Sequence, residues 1–117
     1  MIQWVTKRRV RKNDCMAVAF HVYDNGKMHL TFFGDTCKKI TERDYMQLGV
    51  DCEQNRIYFQ GGTAVNGYKL HANGASMHLR SKNQFTENFI SDIGVYDLLF
   101  DEEQKLYYIQ LGKENQL

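Results

Sequence analysis

The sequence predicts an α+β domain, mostly β, built from two tandem repeats, each a hairpin, a short helix and a second hairpin or strand. Three observations predict it. VYDNGKMHL (22–30) returns as LHANGASMHL (70–79), ITERDYMQLGV (40–50) as FTENFISDIGV (85–95), and EQNRIYFQ (53–60) as EQKLYYIQ (103–110), all in the same order. Apolar residues alternate on either side of Asn-Gly turns, which is the period of half-buried strands. Proline is absent, so glycine, asparagine and aspartate must make the turns. A basic segment, 1–14, precedes repeat 1 (15–62). A linker of 63–65 leads to repeat 2 (66–112), and 113–117 forms a tail.

The first hairpin fixes its own register. Met16, Val18, Phe20 and Val22 alternate, as do Met28, Leu30 and Phe32. A three-residue loop, Asp24-Asn25-Gly26 with Gly26 left-handed, sets Val22 opposite Met28 and Phe20 opposite Leu30, gathering the large apolar groups on one face. A two-residue Asn-Gly loop would oppose Val22 to His29. In the second hairpin a two-residue Asn73-Gly74 turn pairs Leu70 with Met77 and Tyr68 with Leu79.

The helices are expected near 41–48 and 86–93. Thr41 and Thr86 suit the N-cap, each followed by a glutamate at the positive helix end. Ile40 is spaced to staple onto Tyr45, and Phe85 onto Ile90. Gly49 and Gly94 provide left-handed exits. Two-turn helices need tertiary packing, so Leu48 and Ile93 are expected to be buried. Leu98 to Phe100 and Lys105 to Leu111 read as strands around an acidic turn. VDCEQNRIYFQ is five residues shorter between the helix glycine and the glutamine, which predicts a stunted first strand there. Trp4, Tyr58, Phe59, Tyr107 and Tyr108 fall on strands and mostly in the core.

The segments Gly26-Lys27-Met28-His29-Leu30, Leu48-Gly49 and Arg56-Ile57-Tyr58, with Gly74 to Leu79, Ile93-Gly94-Val95 and Asp101 to Tyr108, follow one pattern. It resembles the swapped-hairpin domain of the AbrB and MazE families over nearly all of the chain after residue 15. The resemblance implies that the two repeats interleave, as in the tandem MraZ-like members, into a barrel-like single-chain pseudo-dimer that binds DNA through basic residues of the first hairpin region. The Asp-x-x-x-Arg motif of the tandem members and the proline before the family's helix have no counterpart here. Repeat 1 also has extra residues, about Phe33 to Lys39, between strand and helix. None of the family's DNA-reading arginines is therefore carried over.

The chain's own cations point to the same partner. Net charge is only +1, but Lys7, Arg8, Arg9, Arg11 and Lys12 stand together with no acid before Asp14. Five such cations neutralise phosphates without choosing a sequence; a solvated strand or arm would look the same, and dedicated DNA binders usually carry more net positive charge. Lys27, Lys69 and Arg80 are weaker candidates. His21 faces His29 on the outer side of the first hairpin, and His71 and His78 take the matching side of the second. Two cross-strand histidines fall short of a metal site, so that side reads as a polar face holding Tyr23, Lys27, Lys69 and Arg80. No cofactor is expected.

No Gly-x-Ser-x-Gly, His-Glu-x-x-His, phosphate loop or Cys-x-x-Cys occurs, and catalysis is not expected. Asp101, Glu102 and Glu103 sit in a turn, where acids usually face water. The longest apolar run, Cys15 to Phe20, is six residues, against about 20 for a membrane span. Cys15, Cys37 and Cys52 are odd in number and unclustered, which fits reduced thiols in a cytoplasm. The expected function is a small DNA-binding protein, a transcriptional regulator or antitoxin-like factor. The alternative is a phage or mobile-element module that binds and inhibits a host defence enzyme without binding DNA.

Overall fold

Strand β1 (Ala17–Val22) and strand β2 (Met28–Phe32) form as their alternation dictates. Val18, Phe20, Val22, Met28, Leu30 and Phe32 are all buried. Phe20 pairs with Leu30, Val22 with Met28 and His21 with His29, the register that burial selects. The computed structural model describes residues 3, 16–23, 28–71, 76–79 and 94–117, and of 77–79 and 113 the backbone alone. The two hairpin tips, the helix expected at 86–93, Ile93, Trp4 and Cys15 lie outside the described residues.

The helix expected at 41–48 is not there. Tyr45–Asp51 is strand β3, and helix α1 is Thr36–Ile40. Thr41, expected to begin a helix, ends one: it is extended, and its N–H donates to Cys37 O. Met46 and Leu48 alternate with Gln47 and Gly49, so the segment fits a strand as well as a helix. Hydrogen-bonding partners on both sides then decide for the strand, because a two-turn helix cannot repay its nucleation. Gly49 is mid-strand and marks no helix exit. Leu48 is half-buried against the core rather than fully buried.

Strand β4 (Arg56–Gly61) returns antiparallel along β3, with Leu48 opposite Phe59. The turn between them is built by Asp51, whose Oδ1 accepts the N–H groups of Glu53 and Gln54, and by Asn55 at φ 55°. The acidic turn repeats this. Asp101 Oδ1 accepts from Glu103 and Gln104, and Lys105 lies at φ 59°. This turn joins strand β8 (Leu99–Asp101) to strand β9 (Leu106–Gln110), close to the expected strands. The stunted strand was expected in the wrong repeat. β3 has seven residues, whereas the segment before the second turn is interrupted at Leu98 into strand β7 (Gly94–Asp97) and β8.

The second hairpin only begins as expected. His71 bridges Ser76, the register of a two-residue turn at Asn73-Gly74. Beyond that bridge its strands part, so Leu70–Met77 and Tyr68–Leu79 are not ladder pairs. Strand β5 (Tyr68–Lys69) pairs with β3, and strand β6 (Ser76–Leu79) with β2. Each thereby satisfies an edge that would otherwise stay unpaired.

Two antiparallel sheets result, ordered β6-β2-β1-β7 and β5-β3-β4-β9-β8. Phe32 meets Phe59 edge-on at 5.6 Å across them, with Met46, Ile57, Tyr96, Ile109 and Leu111 completing the core. No helix among the described residues is long and apolar enough to cross a membrane.

Several registers join like to like. Met28-His29-Leu30 lies against Met77-His78-Leu79, with His29 opposite His78. Tyr58 lies opposite Tyr108, with Ile57 against Ile109 and Phe59 against Tyr107. The pair Val18–Tyr96 of β1 and β7 matches the pair Tyr68–Met46 of β5 and β3, each residue moved by 50 positions, and Ala19–Val95 likewise matches Lys69–Tyr45.

Candidate nucleic-acid interface

Of the sequence-predicted contacts, Lys7, Arg8, Arg9, Arg11, Lys12, Lys27 and Arg80 lie outside the described residues. Lys69 is described: it is exposed on β5, opposite Tyr45. It lines a cleft of about 540 Å³ whose other walls are Cys37 and Lys38 of α1, the bend Thr41 to Asp44, and Leu70.

Local chemistry shapes this cleft. Gly34 at φ 56° turns the chain out of β2. Thr36 is fully buried; its hydroxyl donates to Phe33 O and accepts the Ala17 N–H at 3.1 Å. α1 carries Lys38 and Lys39 in its last turn, where cations suit the carbonyl end. Thr41 Oγ1 accepts the Arg43 N–H at 3.1 Å, and the Leu70 N–H donates to Asp44 O at 2.8 Å, tying the bend to the end of β5. Gly61 keeps this corner open, because a Cβ there would run into Thr41 Oγ1.

The cleft therefore gathers Lys38, Arg43 and Lys69, with Lys39 nearby on α1, against Glu42 and Asp44. Lys38, Lys39 and Arg43 were missed in the sequence. Their signal was present in TCKKITER, but that stretch read as the approach to a helix, so its cations were never placed together. Burial pushes the Cys37 thiol up from its ordinary pKa, which keeps it protonated and a poor nucleophile.

A second polar cluster lies on the outer side of the larger sheet. Arg56 Nη1 sits 3.2 Å from Asp101 Oδ2, and its Nε donates to Gln110 Oε1 at 2.8 Å. Its guanidinium stacks 4.3 Å above the Tyr108 ring. The Tyr58 hydroxyl donates to the same Asp101 oxygen at 2.9 Å. The Gln104 N–H, then the Tyr58 hydroxyl, hold the Asp101 carboxyl below its ordinary range. Arg56 is thus tied to partners within the chain. Asp101, expected simply to face water, caps a turn and closes this network.

The outer side of the smaller sheet carries His21 and His29. His21 is exposed and His29 half-buried. Tyr23 packs edge-on against His21 at 4.6 Å, and its hydroxyl lies 3.5 Å from His29 Nδ1. Among the described residues no group of three His, Cys, Asp or Glu is arranged to hold a metal ion. Comparison with protein-family models, curated proteins and solved structures finds no match to this chain.

Proposed function

We propose that the chain is an interleaved single-chain pseudo-dimer of the swapped-hairpin type and that it binds duplex DNA, as a small regulator or antitoxin-like factor. One observation supports the reading: β1 pairs with β7 and β5 with β3, and the two registers are related by one 50-position displacement. Exchange of like elements about a dyad is how two units that cannot bury their faces alone complete each other. A protein with a local twofold axis also matches the twofold symmetry of a duplex. The cations Lys7, Arg8, Arg9, Arg11 and Lys12 supply phosphate contacts, with Lys27, Lys69 and Arg80 as secondary ones, and Lys38 and Arg43 extend the basic surface beside Lys69.

Fluorescence anisotropy with a random duplex at two or more salt concentrations tests this. If all five N-terminal cations meet phosphates, log affinity falls with log salt at a slope of about −4.5, since each neutralised phosphate releases about 0.9 counterion. Replacing Arg8, Arg9 and Arg11 with alanine should flatten the slope by about 2.7 and weaken all duplexes alike, because phosphate contacts do not read bases. Absence of duplex binding even at about 50 mM salt, where screening is weak, would abandon DNA.

A second reading has its own support. Glu42 and Asp44 share the cleft with Lys38, Arg43 and Lys69, and carboxylates repel phosphate. A mixed-charge cleft suits a protein partner, such as a host defence enzyme inhibited by a phage or mobile-element protein. That reading expects no duplex binding and a defined protein recovered by pull-down from the native host.

A further inference from the structure

The cleft beside α1 is held in shape by its own backbone. The Thr41 N–H donates to Cys37 O at 2.9 Å, which ties the bend at Thr41 to Asp44 to the helix. The Leu70 N–H donates to Asp44 O at 2.8 Å, and the Gly62 N–H to Tyr45 O at 2.8 Å, so the bend is also tied to the ends of β5 and β4. The Arg43 stem lies against Gly61, where a Cβ would stand 3.2 Å from its Cδ. Cys37 and Leu70 are buried and give the cleft an apolar floor. Lys38, Glu42, Arg43, Asp44 and Lys69 are exposed around it. Among the described residues, none of these three cations is ion-paired with Glu42 or Asp44, so all five charges are available to a ligand.

We propose that this cleft binds a nucleoside monophosphate, a small phosphate monoester carrying a flat ring and free sugar hydroxyls. Its volume, about 540 Å³, falls within the range of small-ligand sites, about 300–1,000 Å³. Three cations against two carboxylates leave one net positive charge, and Lys39, beside Lys38 on α1, adds a second. That matches a phosphate monoester, which carries about −1.5 to −2 charges at pH 7. A bare anion site would gain nothing from Glu42 and Asp44, because carboxylates repel phosphate. They serve a ligand that also offers hydroxyl donors, which ionised carboxylates accept. Arg43 grips phosphate oxygens in pairs, and its packed stem reduces the entropy lost on binding. The base lies on the floor of Cys37 and Leu70, which removes apolar surface from water. The site does not rest on the DNA reading: Lys69 is only a secondary phosphate contact there, and none of the five N-terminal cations is needed here.

Isothermal titration of the full chain with adenosine monophosphate tests the site, repeated with uridine monophosphate so that one base does not decide. Inorganic phosphate and adenosine serve as partial probes. One saturable site per chain is expected, with at least one nucleotide bound at least tenfold more tightly than either partial probe. Arg43→Ala and Lys69→Ala should each weaken that nucleotide at least fivefold. Glu42→Gln combined with Asp44→Asn should weaken the nucleotide but not inorganic phosphate. All four positions are exposed, so the variants should fold, and far-UV circular dichroism checks each; should one alanine variant fail to fold, the other carries the test. The proposal is overturned if neither nucleotide binds at up to millimolar concentration, or if a partial probe binds as tightly as the nucleotides. It is equally overturned if the folded cation variants bind like the wild type, or if the carboxylate variant binds nucleotide more tightly, since Glu42 and Asp44 would then only repel. Duplex binding is read separately from the salt series. Nucleotide binding without duplex binding would keep this site and end the DNA reading, and the reverse result would do the opposite.

Discussion

Thr36 shows how much one hydroxyl can decide. It is fully buried between β1 and the turn into α1, and its oxygen serves two backbone groups, donating to Phe33 O and accepting from Ala17 N. Thr36→Val keeps the shape and removes both bonds, leaving the buried Ala17 N–H unmatched. A loss of about 1–3 kcal/mol is expected, the cost of an unsatisfied buried group, while Thr36→Ser should recover most of it. Urea denaturation of the three proteins reads the difference. Asp101 sets a pH dependence instead. Its folded carboxyl lies below the ordinary range, chiefly through the Gln104 N–H and then the Tyr58 hydroxyl. The stabilisation is therefore complete above the unfolded carboxylate pKa and is lost as pH falls through the depressed folded value. Denaturation midpoints followed downward from neutral pH should fall less steeply in Asp101→Asn than in the wild type. Equal slopes would mean that the turn, not the ionised carboxylate, carries the stability.

Strand β3 marks where the sequence could be read and where it could not. The first hairpin was legible because its two faces differ so sharply that only one register buries Phe20 with Leu30. The β8–β9 hairpin was legible from its strand residues and acidic turn. Residues 41–48 were not, because Ile40, Tyr45 and Leu48 satisfy helical spacing while Met46 and Leu48 satisfy strand spacing. What separates the two is the presence of β4 and β5 alongside, and no local pattern reports a partner. The same limit hid the cleft, since Lys38, Arg43 and Lys69 converge only when Leu70 is tied to Asp44. It hid the β2–β6 register as well, since positions 29 and 78 come opposite one another only because β6 pairs with β2. Two substitutions separate strand from helix energetically. Ile57 is fully buried, and Ile57→Ala should cost about 2–5 kcal/mol. Leu48 is half-buried at the margin, and Leu48→Ala should cost less than about 2 kcal/mol. Equal losses in equilibrium denaturation would put Leu48 in the centre of the core and contradict its place on β3.

The pairings that cross between the first and second halves of the chain give it its cohesion as a single molecule. In the first half, β1 has its outer edge against β7, β2 against β6, β3 against β5 and β4 against β9. Every strand of that half thus borrows a partner from the other. Among the described residues, the second half keeps to itself the β8–β9 ladder and the His71–Ser76 and Tyr96–Gln116 bridges. Val65 in the connection between them is 97% exposed, so the chain can be divided between Ala64 and Val65 without cutting a strand. A half that must leave four strand edges and the apolar residues of both sheets in water cannot offset its conformational entropy. The fragment 65–117 should therefore be unfolded alone by circular dichroism. The fragment 1–64 should be unfolded or should self-associate, with a second copy taking the place of the missing half. Mixed at equal concentration, the two should regain the native spectrum and run as a single one-to-one complex in size-exclusion chromatography. A fragment 1–64 that is folded and monomeric would show that its core closes without the exchanged strands. The interleaved reading would then fail at its foundation, because β1 and β3 would need nothing from β7 and β5.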